Sequence, residues 1–208
     1  MKVGNNYYFD MNYLAHAYLS FHDAGLLTGN MIADYVKGKK IAAYPPEIIK
    51  GILLHRAIDQ FTDEHQATHQ IKLIFKPTYR LYAGAFADIV YDHFLAIDTR
   101  YFAEEKNLLE FSQKTYAILD QQTRWFPEKF ARMFPYMQEQ NWLYNYRLNW
   151  GIQQSFGGLV RRAAYLEESA IAFELFQQQY DVIKTNYLQF FPELEQFVHA
   201  FIKNYPAD

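Results

Sequence analysis

The sequence predicts an all-α fold, a single-domain helical bundle, and three observations carry that expectation. Apolar residues recur at helical spacing through almost the whole chain, and strict apolar/polar alternation is largely absent. Glycine and proline, the strongest punctuators of local structure, number only 9 and 7 in 208 residues. Half of the residues are hydrophobic and 19% are aromatic, which is ample for a core between packed helices. One domain spanning 11–208 is expected after a short N-terminal extension (1–10), with Met11 as an alternative start.

The periodicity places helices at roughly 11–22, 28–38, 46–65, 66–75, 79–102, 105–122, 127–134, 138–146, 148–163, 166–176 and 178–204. Thr28-Gly29-Asn30 follows a turn at Gly25 and is suited to cap the second helix. Gly38 would end it, with Lys37, Lys39 and Lys40 complementing a negative helix C-terminus. Pro45-Pro46-Glu47 opens the third, because proline fits a first helical turn. Phe-Pro pairs at 126–127, 134–135 and 191–192 predict bends or restarts, since the residue before proline avoids the α region. The long 178–204 pattern is therefore expected to kink or break near Pro192. No repeat of fixed period and no low-complexity segment interrupts the chain.

Composition narrows the function. A net charge of −3 argues against a general nucleic-acid binder, whose basic excess should show. With no cysteine, thiolate metal sites, iron–sulfur clusters and cysteine nucleophiles are ruled out, so any metal must be held by nitrogen and oxygen. No apolar run approaches the roughly 20 residues of a membrane span. The start, MKVGNNYYFD, lacks the basic and apolar regions of a signal peptide, so a cytoplasmic location is expected.

The chemistry is concentrated in polar pairs four residues apart on apolar helices: Asn12/His16, Asn30/Asp34, His55/Asp59 with Asp63 a turn later, and Asp88/Asp92 followed by His93. That spacing puts both side chains on one helix face. A buried carboxylate costs several kcal/mol unless it is compensated, and two carboxylates one turn apart repel unless a cation joins them. Imidazole and carboxylate together suit divalent Mn, Fe, Zn or Mg. For His55/Asp59 a buried hydrogen bond that only fixes packing is an equal alternative, and for Asp88/Asp92 the alternative is an ion pair with nearby arginines. Asp34 can equally balance the lysines after it. His22, His65, His69 and His199 sit in polar or terminal surroundings and read as surface residues. Ser155-Phe156-Gly157-Gly158 ahead of Arg161-Arg162 would let a phosphate or partner approach two arginines, or else is a solvated helix end.

At these residues the chain resembles a known family. Met11-Asn12-Tyr13-Leu14-Ala15-His16, Gly29-Asn30-Met31-Ile32-Ala33-Asp34, His55-Arg56-Ala57-Ile58-Asp59 with Thr62-Asp63, and Asp88 to Leu95 look like the acyl carrier protein phosphodiesterases. Trp142-Leu143, Tyr146, Gly151-Ile152, Gly158 and Arg161-Arg162 extend the match to about residue 195. The resemblance implies a helical fold distantly related to the HD metal-dependent phosphohydrolases. The implied reaction hydrolyses the phosphodiester between 4′-phosphopantetheine and a serine of holo-acyl carrier protein. Manganese is the favoured ion, ahead of Mg2+, Fe2+ or Zn2+. Carried over residue by residue, Asp34, His55, Asp59 and Asp92, with His16, are the implied ligands. His93, Asp92 and Arg56 are the implied catalytic groups, and Arg161, Arg162, Asp63 and Asp88 are placed at the substrate. The main expectation rests on His55/Asp59 and Asp92/His93, then Asp34, with Asn12/His16 as structural support. The order Asp92-His93 departs from the His-Asp doublet of the HD superfamily, so that ligand scheme does not transfer directly.

In the implied mechanism, water activated by the metal attacks phosphorus in line with the serine oxygen. Arg56 or Arg161 would offset the growing charge, and His93 or His16 would protonate the leaving group. Carrier proteins are strongly acidic, so a basic docking surface is expected from Lys37, Lys39, Lys40, Arg124, Lys129, Arg132, Arg147, Arg161 and Arg162. Two alternatives stand beside this reading: a metal phosphohydrolase acting on a small nucleotide or other phosphoester, and a non-catalytic helical binding protein.

Overall fold

A computed structural model describes residues 13–163, 165–166 and 168–206. The expected extension 1–10 and Asn12 of the first polar pair lie outside the described residues. Eleven α-helices follow one another with no strand among the described residues: α1 Tyr13–Tyr18, α2 Ala24–Ile32, α3 Pro46–Glu64, α4 Gln66–Tyr79, α5 Ala83–Ile97, α6 Glu105–Asp120, α7 Glu128–Glu139, α8 Trp142–Asn145, α9 Asn149–Arg162, α10 Ala170–Gln178 and α11 Tyr180–Asn204. Among the described residues no helix is long and apolar enough to cross a membrane.

Helix α5 is the axis. Every residue from 86 to 96 is buried, and the helix packs against α1, α4, α9 and α11. This all-round burial follows from a segment that is apolar on every face. The core around it is rich in aromatic contacts, such as Tyr91 stacked on Phe190 with centroids 4.3 Å apart.

Helix α2 starts earlier than its capping signals predict. Asp23 is extended and accepts the Leu26 N–H at 2.8 Å, so it is the N-cap. Thr28 lies inside the helix and donates its hydroxyl back to the Ala24 carbonyl at 2.6 Å. The helix ends at Ile32, where the chain tightens into a 3-10 turn, Ala33–Tyr35. Gly38, with φ 57°, opens a second 3-10 segment, Gly38–Ala43, and does not close α2. Pro45-Pro46 opens α3 as expected.

The prolines behave differently from expectation. Pro127 directly precedes α7, but Pro135 lies inside α7 and Pro192 inside an unbroken α11. Around Pro192 the side chains of Phe190, Phe191, Leu194 and Val198 are all buried. Burying each contributes roughly 1.5–3 kcal/mol, which outweighs about 3 kcal/mol for an interior proline.

Helices α2 and α3 approach backbone to backbone. A Cβ on Gly29 would lie 2.1 Å from the Ile48 carbonyl oxygen, and one on Gly51 would lie 2.4 Å from that of Leu26. Only glycine permits this contact. It brings Asn30, next to Gly29, and His55, one turn beyond Gly51, onto a common seam.

Candidate metal centre

Two helices and one 3-10 turn converge on a compact nitrogen–oxygen cluster. His16 comes from α1, His55 and Asp59 from one face of α3, and Asp34 from the turn after α2. One donor atom each from His16, His55 and Asp59 lies within 4.8 Å of the others. His55 Nε2 stands 3.1 Å from Asp59 Oδ2 and 3.2 Å from Asp34 Oδ1, while His16 Nε2 is 3.3 Å from Asp59 Oδ1. The two imidazoles stack with centroids 4.1 Å apart.

A hydrogen-bond network fixes the tautomer of His16. Asn30 Nδ2 donates to the His16 carbonyl at 2.9 Å and to Ser20 Oγ at 3.0 Å, which turns its Oδ1 toward the ring. His16 Nδ1–H therefore donates to Asn30 Oδ1 at 2.6 Å, and Nε2 carries a lone pair. Ser20 closes the loop by donating to the His16 carbonyl at 2.7 Å. Nε2 is buried and has no hydrogen-bond partner among the described residues, because its approach to Asp59 lacks hydrogen-bond geometry. A ring held through one nitrogen, with the other presented bare to carboxylates, is how proteins orient metal-ligating histidines.

The electrostatics point the same way. Burial and the neighbouring His55 hold the His16 pKa below its ordinary value, so its lone pair is available. For His55 burial works against the charge, but Asp59 and Asp34 outweigh it and raise the pKa well above ordinary. Burial opposes ionisation of Asp59 too, yet His55 and His16 keep its carboxyl below the usual range. The cluster thus holds the ionised Asp59 carboxylate between a neutral His16 and a protonated His55, and a divalent cation displacing the His55 proton would meet a nitrogen–oxygen donor set that suits it.

Of the other residues expected at the site, most serve elsewhere. Asp92 is wholly buried and accepts the N–H groups of Leu14 at 3.0 Å and Ala15 at 2.8 Å. It also accepts the Tyr146 hydroxyl; burial raises its pKa and these three donors oppose the shift. Asp92 therefore anchors the start of the helix that carries His16, and it lies outside the cluster. His93 turns away as well: its Nδ1–H donates to the Tyr146 carbonyl at 2.8 Å, Nε2 is 3.4 Å from the Tyr180 hydroxyl, and Phe94 and Phe176 enclose the ring. Burial lowers its pKa to about 4, against the opposing pull of that carbonyl.

Asp88 is buried near Tyr91 and is likewise not in the cluster. Asp63 is at the surface, paired with Lys72 at 2.6 Å. Arg56 is exposed and donates to the Val36 carbonyl at 3.0 Å. Arg161 is exposed at the end of α9 with its guanidinium beside Gly157. Arg162 is also exposed but has other neighbours. Its guanidinium interacts with Tyr13, Tyr35 and Tyr146, and burial lowers its pKa while those hydroxyls raise it.

Tyr13 and Tyr146 stand in the family-like motifs without an assigned role, and Tyr35 was not singled out in the sequence. The Tyr13 and Tyr35 hydroxyls are 3.2 Å apart, and both feel the charge of Asp34. Burial raises both pKa values, so both remain O–H donors at neutral pH. No local signal marks Tyr35 among the 18 tyrosines.

The profile of the family described as "Acyl carrier protein phosphodiesterase" matches residues 11–194. Proteins named acyl carrier protein phosphodiesterase are similar along nearly their full length. That of Enterobacter sp. (strain 638) is 30% identical over 88% of this chain and 95% of its own. That of Klebsiella pneumoniae is 31% identical over 88% and 95%, and that of Photorhabdus laumondii 30% identical over 88% and 92%. No solved structure gives a significant match. Four residues that meet at the cluster, His16, Asp34, His55 and Asp59, fall inside the matched span, and this chain belongs to the acyl carrier protein phosphodiesterase family.

Proposed function

We propose that this protein hydrolyses the phosphodiester joining 4′-phosphopantetheine to the serine of holo-acyl carrier protein, in the cytoplasm, at a divalent-cation site. His16, His55 and Asp59 would hold the ion, with Asp34 alongside and manganese favoured. The observation that carries the reading is His16 Nε2, a buried lone pair with no hydrogen-bond partner, fixed by Asn30 and aimed at Asp59. When bound, the ion supplies Lewis-acid charge for the phosphoryl oxygens and a lowered pKa for water near neutral pH.

The chain's own groups do the remainder. The carboxylates of Asp34 and Asp59 are the accessible side of the cluster and orient the attacking water. Arg162, with the hydroxyls of Tyr13 and Tyr35, offers cationic and neutral donors to the non-bridging oxygens, where charge grows during transfer. Tyr35, the less buried of the two tyrosines, is the O–H assigned to the departing serine oxygen in place of His93. The deciding experiment is mass spectrometry of holo-carrier protein incubated with the enzyme and Mn2+. Loss of the phosphopantetheine group is expected. An unchanged mass under metal-replete conditions would redirect the site to small phosphoesters.

A further inference from the structure

A shallow groove of about 340 Å³ is lined by Lys40, Ala43, Tyr44, Arg124, Trp125 and Phe126. We infer that this groove is the docking surface for an acidic face of the protein substrate. The inference rests on the carrier-protein reading above.

The chain as a whole is acidic, yet this patch is not. Lys40 and Arg124 are exposed on its rim, no carboxylate lines it, and Lys37 and Lys39 stand exposed just before Lys40. Among the described residues neither Lys40 nor Arg124 forms an ion pair, whereas Arg132 is paired with Glu128 and Arg147 with Glu105. The floor is aromatic. The Arg124 guanidinium lies 5.1 Å from the centre of the Trp125 ring, and Tyr44 packs beside that ring at 6.2 Å. Aromatic side chains with arginine are the composition that marks protein-recognition surfaces. The volume admits a few side chains, so the occupant is part of a larger surface and not an enclosed small ligand.

The groove is also joined to the centre. Phe126 packs edge-on against Phe130 at 4.7 Å, and Phe130 against Tyr35 at 5.7 Å, next to Asp34. On the other wall Tyr44 leads into α3, whose His55 lies about 14 Å along the helix axis from Pro46 at 1.5 Å per residue. A protein whose modified serine reached the cluster would extend its neighbouring surface toward this rim. Charge complementarity there would set register and encounter rate.

The test reverses both charges, Lys40→Glu with Arg124→Glu, in the full chain, with Arg132→Glu as a control on a cation outside the groove. Steady-state hydrolysis of holo-carrier protein is followed across salt concentrations, with Mn2+ affinity and melting temperature as readouts of an intact site. A rise of about tenfold or more in KM and a flatter salt dependence are expected for the double variant, with Mn2+ affinity and melting unchanged. A KM within twofold of wild type, or an equal rise in Arg132→Glu, would overturn the docking assignment. Wild type failing to act on holo-carrier protein would instead remove the phosphodiesterase reading, and the docking inference with it.

Discussion

Asn30→Ala separates a metal centre from a mere hydrogen-bond network. The side chain is buried and makes three hydrogen bonds, at 2.6 Å to His16 Nδ1, 2.9 Å to the His16 carbonyl and 3.0 Å to Ser20 Oγ. Each contributes about 1 kcal/mol net, and an orphaned buried N–H on His16 adds about 1–3 kcal/mol, so the loss should be roughly 4–6 kcal/mol. A total stability in the middle or upper part of the usual range of about 5–15 kcal/mol keeps the variant folded at low temperature. The alanine also frees the ring to exchange tautomers and rotate, and loss of such a partner typically lowers metal affinity about 10–100-fold. Urea unfolding in chelator reads the first quantity, and Mn2+ titration calorimetry on the folded variant reads the second. If stability falls as calculated while Mn2+ affinity stays within about twofold, His16 is not a ligand and the proposed centre is wrong.

Asp92→Ala should destabilise by about 3 kcal/mol, because it strands the buried N–H groups of Leu14 and Ala15. In the folded variant Mn2+ affinity should drop less than about tenfold, whereas Asp59→Ala should abolish stoichiometric binding; equal losses would return Asp92 to the ligand set. His93 gives a pH signature. Its folded pKa of about 4 lies below the unfolded value of about 6.5, so its contribution is full above pH 6.5 and disappears as pH falls toward 4. That amounts to roughly 2 kcal/mol by pH 5 and roughly 3 kcal/mol by pH 4, and His93→Gln should flatten the stability–pH curve by this amount; parallel curves would contradict the assignment. Gly51→Ala puts a methyl group 2.4 Å from the Leu26 carbonyl oxygen and must push α2 and α3 apart. About 1–3 kcal/mol of stability and on the order of 10²-fold in activity should be lost, and unchanged melting would show that the seam yields easily.

Helical periodicity located every helix in order, and Pro45-Pro46 located the start of α3, because these signals are local. Asp23 was overlooked as the cap of α2 because the glycine after it reads as a turn. The Asn30/Asp34 pair shows a deeper limit. A spacing of four implies one face only while the helix continues, and α2 stops at Ile32 with neither glycine nor proline to announce it. Asn30 therefore serves His16 and Asp34 serves His55. The polar pairs were visible, but which of them meet depends on how helices cross. His16, expected as support, became the best-defined donor, while Asp92, expected as a ligand, became the support. Pro192 failed as a breaker because burial on both sides outweighs one missing hydrogen bond.

The cluster is lopsided in a way that would govern how a bound ion exchanges. The imidazoles are sealed, with side chains 2% and 6% exposed, while Asp34 and Asp59 are 20% and 26% exposed. An ion held there would therefore enter and leave over the carboxylate edge, and a chelator would meet it there without any helix opening. The imidazole side is locked by Asn30, Ser20 and Asp92, none of which needs the ion in order to hold α1. If the proposed centre binds its ion, metal exchange would thus be uncoupled from unfolding: the protein would be emptied and refilled as a folded object, with occupancy following the free-ion concentration around it.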